Sequence, residues 1–195
     1  KLIKNPISRI EVASAGGYLS YENIADKATV TGVEVEVRKN LFVRPLSSAA
    51  NGMNKLSFGL NGSYIYTNAK MPLATVTTGS QLEGAAPWIA NFDLSHNFTK
   101  GTHSFINTLV FNYVSDKIYT IGTQGYQDII EQGMMTLDFV SQAKLNKYVS
   151  LTLKARNLLN PSYKLSRKAN ESGEKVVLSD YKKGINISLG VSCTF

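Results

Sequence analysis

Few side chains in this sequence are of a type and spacing that could do acid–base or nucleophilic chemistry. His96 and His103 straddle a tight turn, and Ser104 follows His103, which sets a base beside a hydroxyl. A nucleophile of that kind needs a third group to orient its base, and none is identifiable. Two histidines on one solvated turn are commonplace, and no Cys/His cluster has the spacing of a zinc site. Gly122-Thr-Gln-Gly125 is too short a glycine pattern to cradle a phosphate. The expectation is a chain with no catalytic residue, no metal and no cofactor. It is not an enzyme on this reading.

The informative ionisable residues are those that recur with strand parity. Glu34, Glu36, Arg38, Asp93, Asp138, Lys144, Lys154 and Arg156 each fall on the polar side of an alternating segment. A second set sits between such segments. Tyr119, Gln124, Tyr126, Gln127, Tyr163 and Tyr181 lie in long connectors and suit a polar, partly aromatic ligand. Tyrosine is also common in loops without any ligand. The elements that position both sets decide what they do.

The last eleven residues alternate without a miss. Ile185, Ile187, Leu189, Val191, Cys193 and Phe195 share one parity, and Asn186, Ser188, Gly190, Ser192 and Thr194 hold the other. Cys193, the single cysteine, is a small hydrophobic filler on that pattern. Eight segments read as strands: 8–21, 28–42, 54–68, 87–98, 102–115, 134–145, 148–158 and 184–195. In the second, Val33, Val35, Val37 and Leu41 oppose Glu34, Glu36, Arg38 and Asn40. Most of these segments run to 11–15 residues, whereas a globular strand has about 5–6. Eleven residues at a tilt of about 45° cross roughly 25 Å, the height of the apolar band of a transmembrane barrel.

Connector lengths alternate as well. Counting back from Phe195 they run long (159–183), short (146–147), long (116–133), short (99–101), long (69–86) and intermediate (43–53). Outer-membrane barrels have short periplasmic turns and longer external loops, which places the terminal Phe195 at the periplasmic rim. Tyr64, Tyr66, Trp88 and Tyr113 then fall near the external strand ends, and Phe98 and Phe195 near the opposite ends, as two aromatic girdles.

Composition agrees without deciding. The chain has 195 residues, 43% of them hydrophobic, with a mean hydropathy of −0.10. No stretch approaches the 18 or so apolar residues of a transmembrane helix, an absence that says nothing about a barrel. The net charge of +7 is scattered, and its densest stretch, Lys164 to Lys183, mixes six cations with three anions. Nucleic acid is therefore not an expected partner. Lys1 in place of Met, with no signal-peptide pattern, leads to the expectation of a mature protein or a fragment.

Six pieces in order carry a family resemblance. They are Ala28–Leu41 (ATVTGVEVEVRKNL), Gly84–Asn91 (GAAPWIAN), Phe111–Ile118 (FNYVSDKI), Leu137-Asp138, Ala155–Pro161 (ARNLLNP) and the final GINISLGVSCTF. Together they resemble the carboxy-terminal β-barrel part of a TonB-dependent outer-membrane receptor, in the style of the Bacteroidetes lineage. The resemblance covers about residues 7–195. It implies an antiparallel transmembrane barrel of about 22 strands, of which eight are in this chain. Residues 1–195 would then be the carboxy-terminal portion of the barrel domain, with the plug domain elsewhere. It also implies import of a scarce nutrient (siderophore, metal complex, glycan or peptide) with energy from the inner-membrane TonB complex. The partners would be outer-membrane lipid and lipopolysaccharide, the remaining strands and plug of the receptor, TonB, and a surface lipoprotein as a further candidate.

On this reading the polar-parity charges face the lumen, because each Lys or Arg on the lipid side would cost about 2–4 kcal/mol at mid-bilayer. They hold the plug, or they pair across neighbouring strands for about 0.2–1 kcal/mol each; pairing is the simpler expectation. Two other readings stay open. One is a complete eight-stranded barrel with a structural or adhesive role, whose lumen side chains would fill. The other is a soluble β-sandwich, which strand length and loop sorting disfavour.

Overall fold

The computed structural model describes residues 1–12, 18–46, 52–69, 81–123, 126–169 and 173–194. Among these residues the chain is all-β, with fourteen strands and no helix. In chain order they are β1 (Leu2–Lys4), β2 (Ile7–Val12), β3 (Tyr18–Asn23), β4 (Lys27–Pro45), β5 (Met53–Ala69), β6 (Trp88–Lys100) and β7 (His103–Val114). Then follow β8 (Lys117–Thr120), β9 (Ile129–Glu131), β10 (Met134–Lys144), β11 (Val149–Arg156), β12 (Ser162–Lys168), β13 (Lys175–Lys182) and β14 (Asn186–Cys193).

Eight strands form one antiparallel sheet, the wall, in the order β1-β4-β5-β6-β7-β10-β11-β14. Seven of the eight segments read from alternation are wall strands. The exception is 8–21. It divides between β2 and β3, which pair with each other outside the wall, and the wall's first strand is the three-residue β1. The sheet is open, since β4 and β14 lie at or near opposite ends of it.

Register carries each apolar set onto one face. Val33 lies opposite Tyr64 and Tyr64 opposite Trp88; Val37 lies opposite Leu60 and Leu60 opposite Phe92. Further along, Leu109 opposes Phe139, Phe139 opposes Ala155, and Ala155 opposes Ile187. No described residue covers this face: Val35 is 60% exposed and Leu189 70%. One detail of the parity is different from expectation. A bulge between Asn40 and Phe42 leaves Leu41 without a partner, so Phe42 takes the apolar position opposite Leu56. An extra residue on one strand shifts all later side chains by one face.

Two kinds of connection join the wall strands. β6 turns into β7 within two residues, Gly101 and Thr102, with Gly101 at φ 61°. β10 reaches β11 through an Asx turn in which Asn146 Oδ1 accepts from Tyr148 N (2.8 Å) and Val149 N (2.9 Å). The long connectors all lie at the other end. Two of them, 116–133 and 159–183, are not simple loops, as the sequence suggested, because they build a second structure, the cap. Its sheet has the order β8-β9-β12-β13, and β2 and β3 add a hairpin beside it.

The buried core belongs to the cap. Ile10, Ile24, Ala25, Leu82, Ile118 and Ile121 pack with Ala28 and Ala69 from the outer ends of β4 and β5. Ala28 and Val30 share the parity of Glu34, and Ala69 shares that of Asn61, so this core sits on the polar side of the wall.

Candidate functional site

The polar face of the wall is organised in rows set by register. Glu36, Asn61, Asn91, Asn112 and Thr136 lie side by side across five strands. Asn61 Nδ2 donates to Glu34 Oε1 at 2.7 Å, Asn91 Nδ2 to Asn61 Oδ1 at 3.2 Å, and Asn112 Nδ2 to Thr136 Oγ1 at 3.2 Å. The next row runs Arg38, Gly59, Asp93, Val110, Asp138. Arg38 pairs with Glu36, and its Nη1 lies 3.9 Å from Asp93 Oδ1 across the intervening strand. Glycine at 59 makes that reach possible, because a methyl there would collide with the Asp93 carboxylate. These groups line an open cavity of about 340 Å³ with Leu60 and Asn91.

The other polar-parity residues behave differently. Asp138 Oδ1 accepts from the backbone N of Asn157 at 2.8 Å. This fixes the turn after β11, where Asn157 and Asn160 take positive φ (58° and 43°) that asparagine tolerates. Asn157 Nδ2 donates to Gly184 O (2.7 Å), and Gly184 N donates to Asn160 Oδ1 (3.0 Å), tying that turn to the start of β14. Arg156 lines a second cavity of about 380 Å³ on this face with Asp138, Lys183 and Asn186. Lys144, Lys154 and Arg156 have no ion-pair partner among the described residues. Arg38 is thus ion-paired within its own strand to Glu36 and, two strands away, to Asp93, and these three cations have no such partner among the described residues.

The tyrosines singled out in the connectors gather in the cap. The Tyr163 and Tyr181 rings are 5.0 Å apart, and Lys183 Nζ lies 5.3 Å from the Tyr163 centroid. Arg9 stands 4.4 Å from the Tyr119 ring and 5.8 Å from that of Tyr21, and it also pairs with Glu83 at 3.7 Å. Tyr126 lies apart from these, 5.5 Å from Arg167, which pairs with Glu11. Lys117 and Glu131 pair at 3.1 Å. Burial pushes the Tyr163 hydroxyl up to about 12, and the neighbouring Glu131 carboxylate adds to the shift. Gln124 and Phe195 lie outside the described residues. Arg9, Glu11, Glu83 and Arg167 carried no sequence signal, since Glu11 and Arg167 meet from 156 residues apart.

The histidines are separated. His96 lies opposite Asn107 and His103 opposite Lys100, four registers apart or roughly 13 Å along the strand. His96 Nε2 shares a 2.8 Å hydrogen bond with Asn54 Oδ1.

Rings mark both ends of the apolar face. Tyr64 and Trp88 lie 4.5 Å apart toward the cap, bordering a groove of about 460 Å³ floored by Gly62 and Ala90 and closed by Tyr113. Phe98 and Phe105 lie 6.5 Å apart toward the short turns. One face of apolar side chains between two girdles of rings, backed by hydrogen-bonded polar rows, is the two-sided pattern of a barrel wall.

No curated protein and no solved structure matches the chain. Residues 1–158 match the family described as TonB dependent receptor-like, beta-barrel. The match takes in seven of the eight wall strands, and the eighth, β14, pairs along its whole length with the last of them. The chain belongs to the TonB-dependent receptor β-barrel family and forms part of such a barrel.

Proposed function

We propose that this chain is the carboxy-terminal wall and outer cap of an importer in the outer membrane. It would carry a scarce nutrient inward with energy supplied by the inner-membrane TonB complex. The observation that carries this reading is the division of the wall. Its apolar face is unsheltered between two aromatic girdles, while its opposite face holds paired charges and amide rows. A lipid-facing surface of that kind needs no packed core beneath it, and its partner face suits water and a plug.

In this reading the unpaired cations Lys144, Lys154 and Arg156 meet the plug, and the Glu36–Arg38–Asp93 cluster lines the lumen. Tyr119, Tyr126, Tyr163 and Tyr181 in the cap, with Gln124 in the same connector as Tyr126, are the proposed ligand contacts. Lipid and lipopolysaccharide surround the apolar face. A complete eight-stranded barrel is less favoured, because its edge strands β1 and β14 would have to pair, and they do not.

Growth of a strain deleted for the intact receptor, on ferric complexes, oligosaccharides and peptides offered singly, tests the proposal. Loss of growth on one nutrient, restored by the receptor only when TonB is present, is the expected result. Normal growth on every source, with a loss of surface adhesion, would favour the structural barrel instead.

A further inference from the structure

The order of strands in the cap repeats the order in the wall. Moving across the wall one meets β7, β10, β11 and β14; moving across the cap one meets β8, β9, β12 and β13. Each cap strand is joined to its wall counterpart by a short link, 115–116, 132–133, 157–161 and 183–185 respectively. The cap sheet is therefore an outward second tier of the same wall, and its last strand stands above the wall's last strand. β13 is the strand beyond β12 in the cap as β14 is the strand beyond β11 in the wall, and each has its other side without a strand among the described residues.

The two edges of this upper tier are treated differently. β8 is covered, since β2 docks on it through a parallel bridge between Ile10 and Ile121. Ile121 N donates to Arg9 O at 3.0 Å and Glu11 N to Ile121 O at 3.4 Å. β13 has β12 on one side and no strand on the other among the described residues. Its eight residues include Val176, Val177 and Leu178, each between 45% and 52% exposed. A bulge that leaves Leu178 without a partner on β12 bends the strand but covers nothing. An uncovered edge with a run of apolar side chains is a template for another strand.

We infer that the strand which closes the barrel against β14 runs on past the rim and adds to β13, so that the seam has two tiers. The inference rests on the reading of the chain as one end of a closed barrel. The occupant follows from continuity and direction. A neighbour antiparallel to β14 enters beside Cys193, leaves the wall beside Asn186 and is then carried outward alongside β13. Lys175 to Cys193 is a run of 19 residues, and β4 is itself a strand of 19 residues, so one strand can serve both tiers. The added strand would satisfy the outer backbone groups of β13 and shelter its valines from water.

Photo-cross-linking in the intact receptor in outer membranes tests this. A benzophenone amino acid replaces Val177 in one variant and Val191, as the reference on β14, in another. The expected result is that both cross-link within the same polypeptide to one strand, at sites about 14 residues apart, matching the spacing of the two probes. If the Val191 probe reaches a strand of the receptor while the Val177 probe reaches another loop, a second copy, a different protein or nothing, the two-tier seam is wrong and the barrel reading stands. If the Val191 probe finds no strand of the same polypeptide, both fall. Hydrogen exchange gives a second readout: slow exchange at nearly all amides of 175–182, against fast exchange at about half of them for an open edge.

Discussion

In the wall, Ile187 is 69% exposed and Leu189 70%; in the cap, Ile121 is 1% exposed and Ile10 7%. The same amino-acid types serve opposite arrangements. The cap buries its isoleucines against one another, as a water-soluble domain does, while the wall presents them to whatever lies outside. The wall holds its shape by backbone ladders of 6–17 pairs between its long strands, and its polar face adds hydrogen bonds between amide rows. Burial stabilises the cap, while the wall relies on strand pairing and has an apolar face suited to a hydrocarbon surround.

The sharpest way to separate the two regions is to damage the cap core alone. Ile121→Ala should remove about 2–5 kcal/mol by opening a cavity in a site with no solvent access. Limited proteolysis should then cut within 117–131 and 7–12, while the barrel keeps its heat-modifiable migration on a denaturing gel. Simultaneous melting of the barrel would mean that wall and cap form one cooperative unit.

Next in size is a charge placed on either side of the same strand. Leu189→Arg should cost about 2–4 kcal/mol and deplete the receptor from the outer membrane, because the guanidinium would face hydrocarbon. Ser188→Arg, one residue away and opposite in parity, should stay near the wild-type level, within about 0.5 kcal/mol. Equal losses from the two would remove the distinction between faces.

A smaller effect is expected at the glycine slot. Gly59→Ala should destabilise the wall by about 1–3 kcal/mol through its collision with the Asp93 carboxylate. Adding Asp93→Ala should restore most of that loss in denaturant midpoints of the intact receptor; no rescue would show that the clash lies elsewhere.

Alkaline pH addresses the cap again. The folded cap holds the Tyr163 proton up to about 12, whereas an unfolded chain releases it near 10.0. The folded state therefore binds more protons across that window, and cap stability falls as pH rises through it. Absorbance at 295 nm, as the difference from Tyr163→Phe, should show a phenol titrating near the upper value. A midpoint near 10 would mean that the Tyr163 hydroxyl is neither desolvated nor close to Glu131. The smallest effect belongs to Arg38→Gln, whose side chain is largely exposed: an unchanged denaturant midpoint is expected. Altered uptake at that same midpoint would assign Arg38 to the plug.

How much of this was legible in the sequence follows the same division. Wall strands carry their own specification, because one face must be continuously apolar; β5, β6, β10, β11 and β14 read directly from alternation. Leu41 was misplaced because a bulge adds a residue without changing composition. The cap escaped notice because its strands are short and take their stability from distant partners. Ile129–Glu131 is three residues long, and Ile118 is buried by residues from the hairpin, from β4 and β5 and from 81–86. Val176-Val177-Leu178 was the one local hint of a strand within 159–183. Among the site residues, parity placed Glu36, Arg38 and Asp93 on one face. Nothing in a one-dimensional pattern could bring Arg9 to Tyr119 or Arg167 to Glu11, which meet only through tertiary packing.

Spin labels placed singly from Asn186 to Ser192 in the intact receptor, after Cys193→Ser, test the two-faced wall most directly. Collision with oxygen, which concentrates in hydrocarbon, should peak at 187, 189 and 191. Collision with a water-soluble nickel chelate should peak at 188, 190 and 192. Two accessibilities that rise and fall together along the strand, or oxygen maxima on the serine positions, would contradict the account.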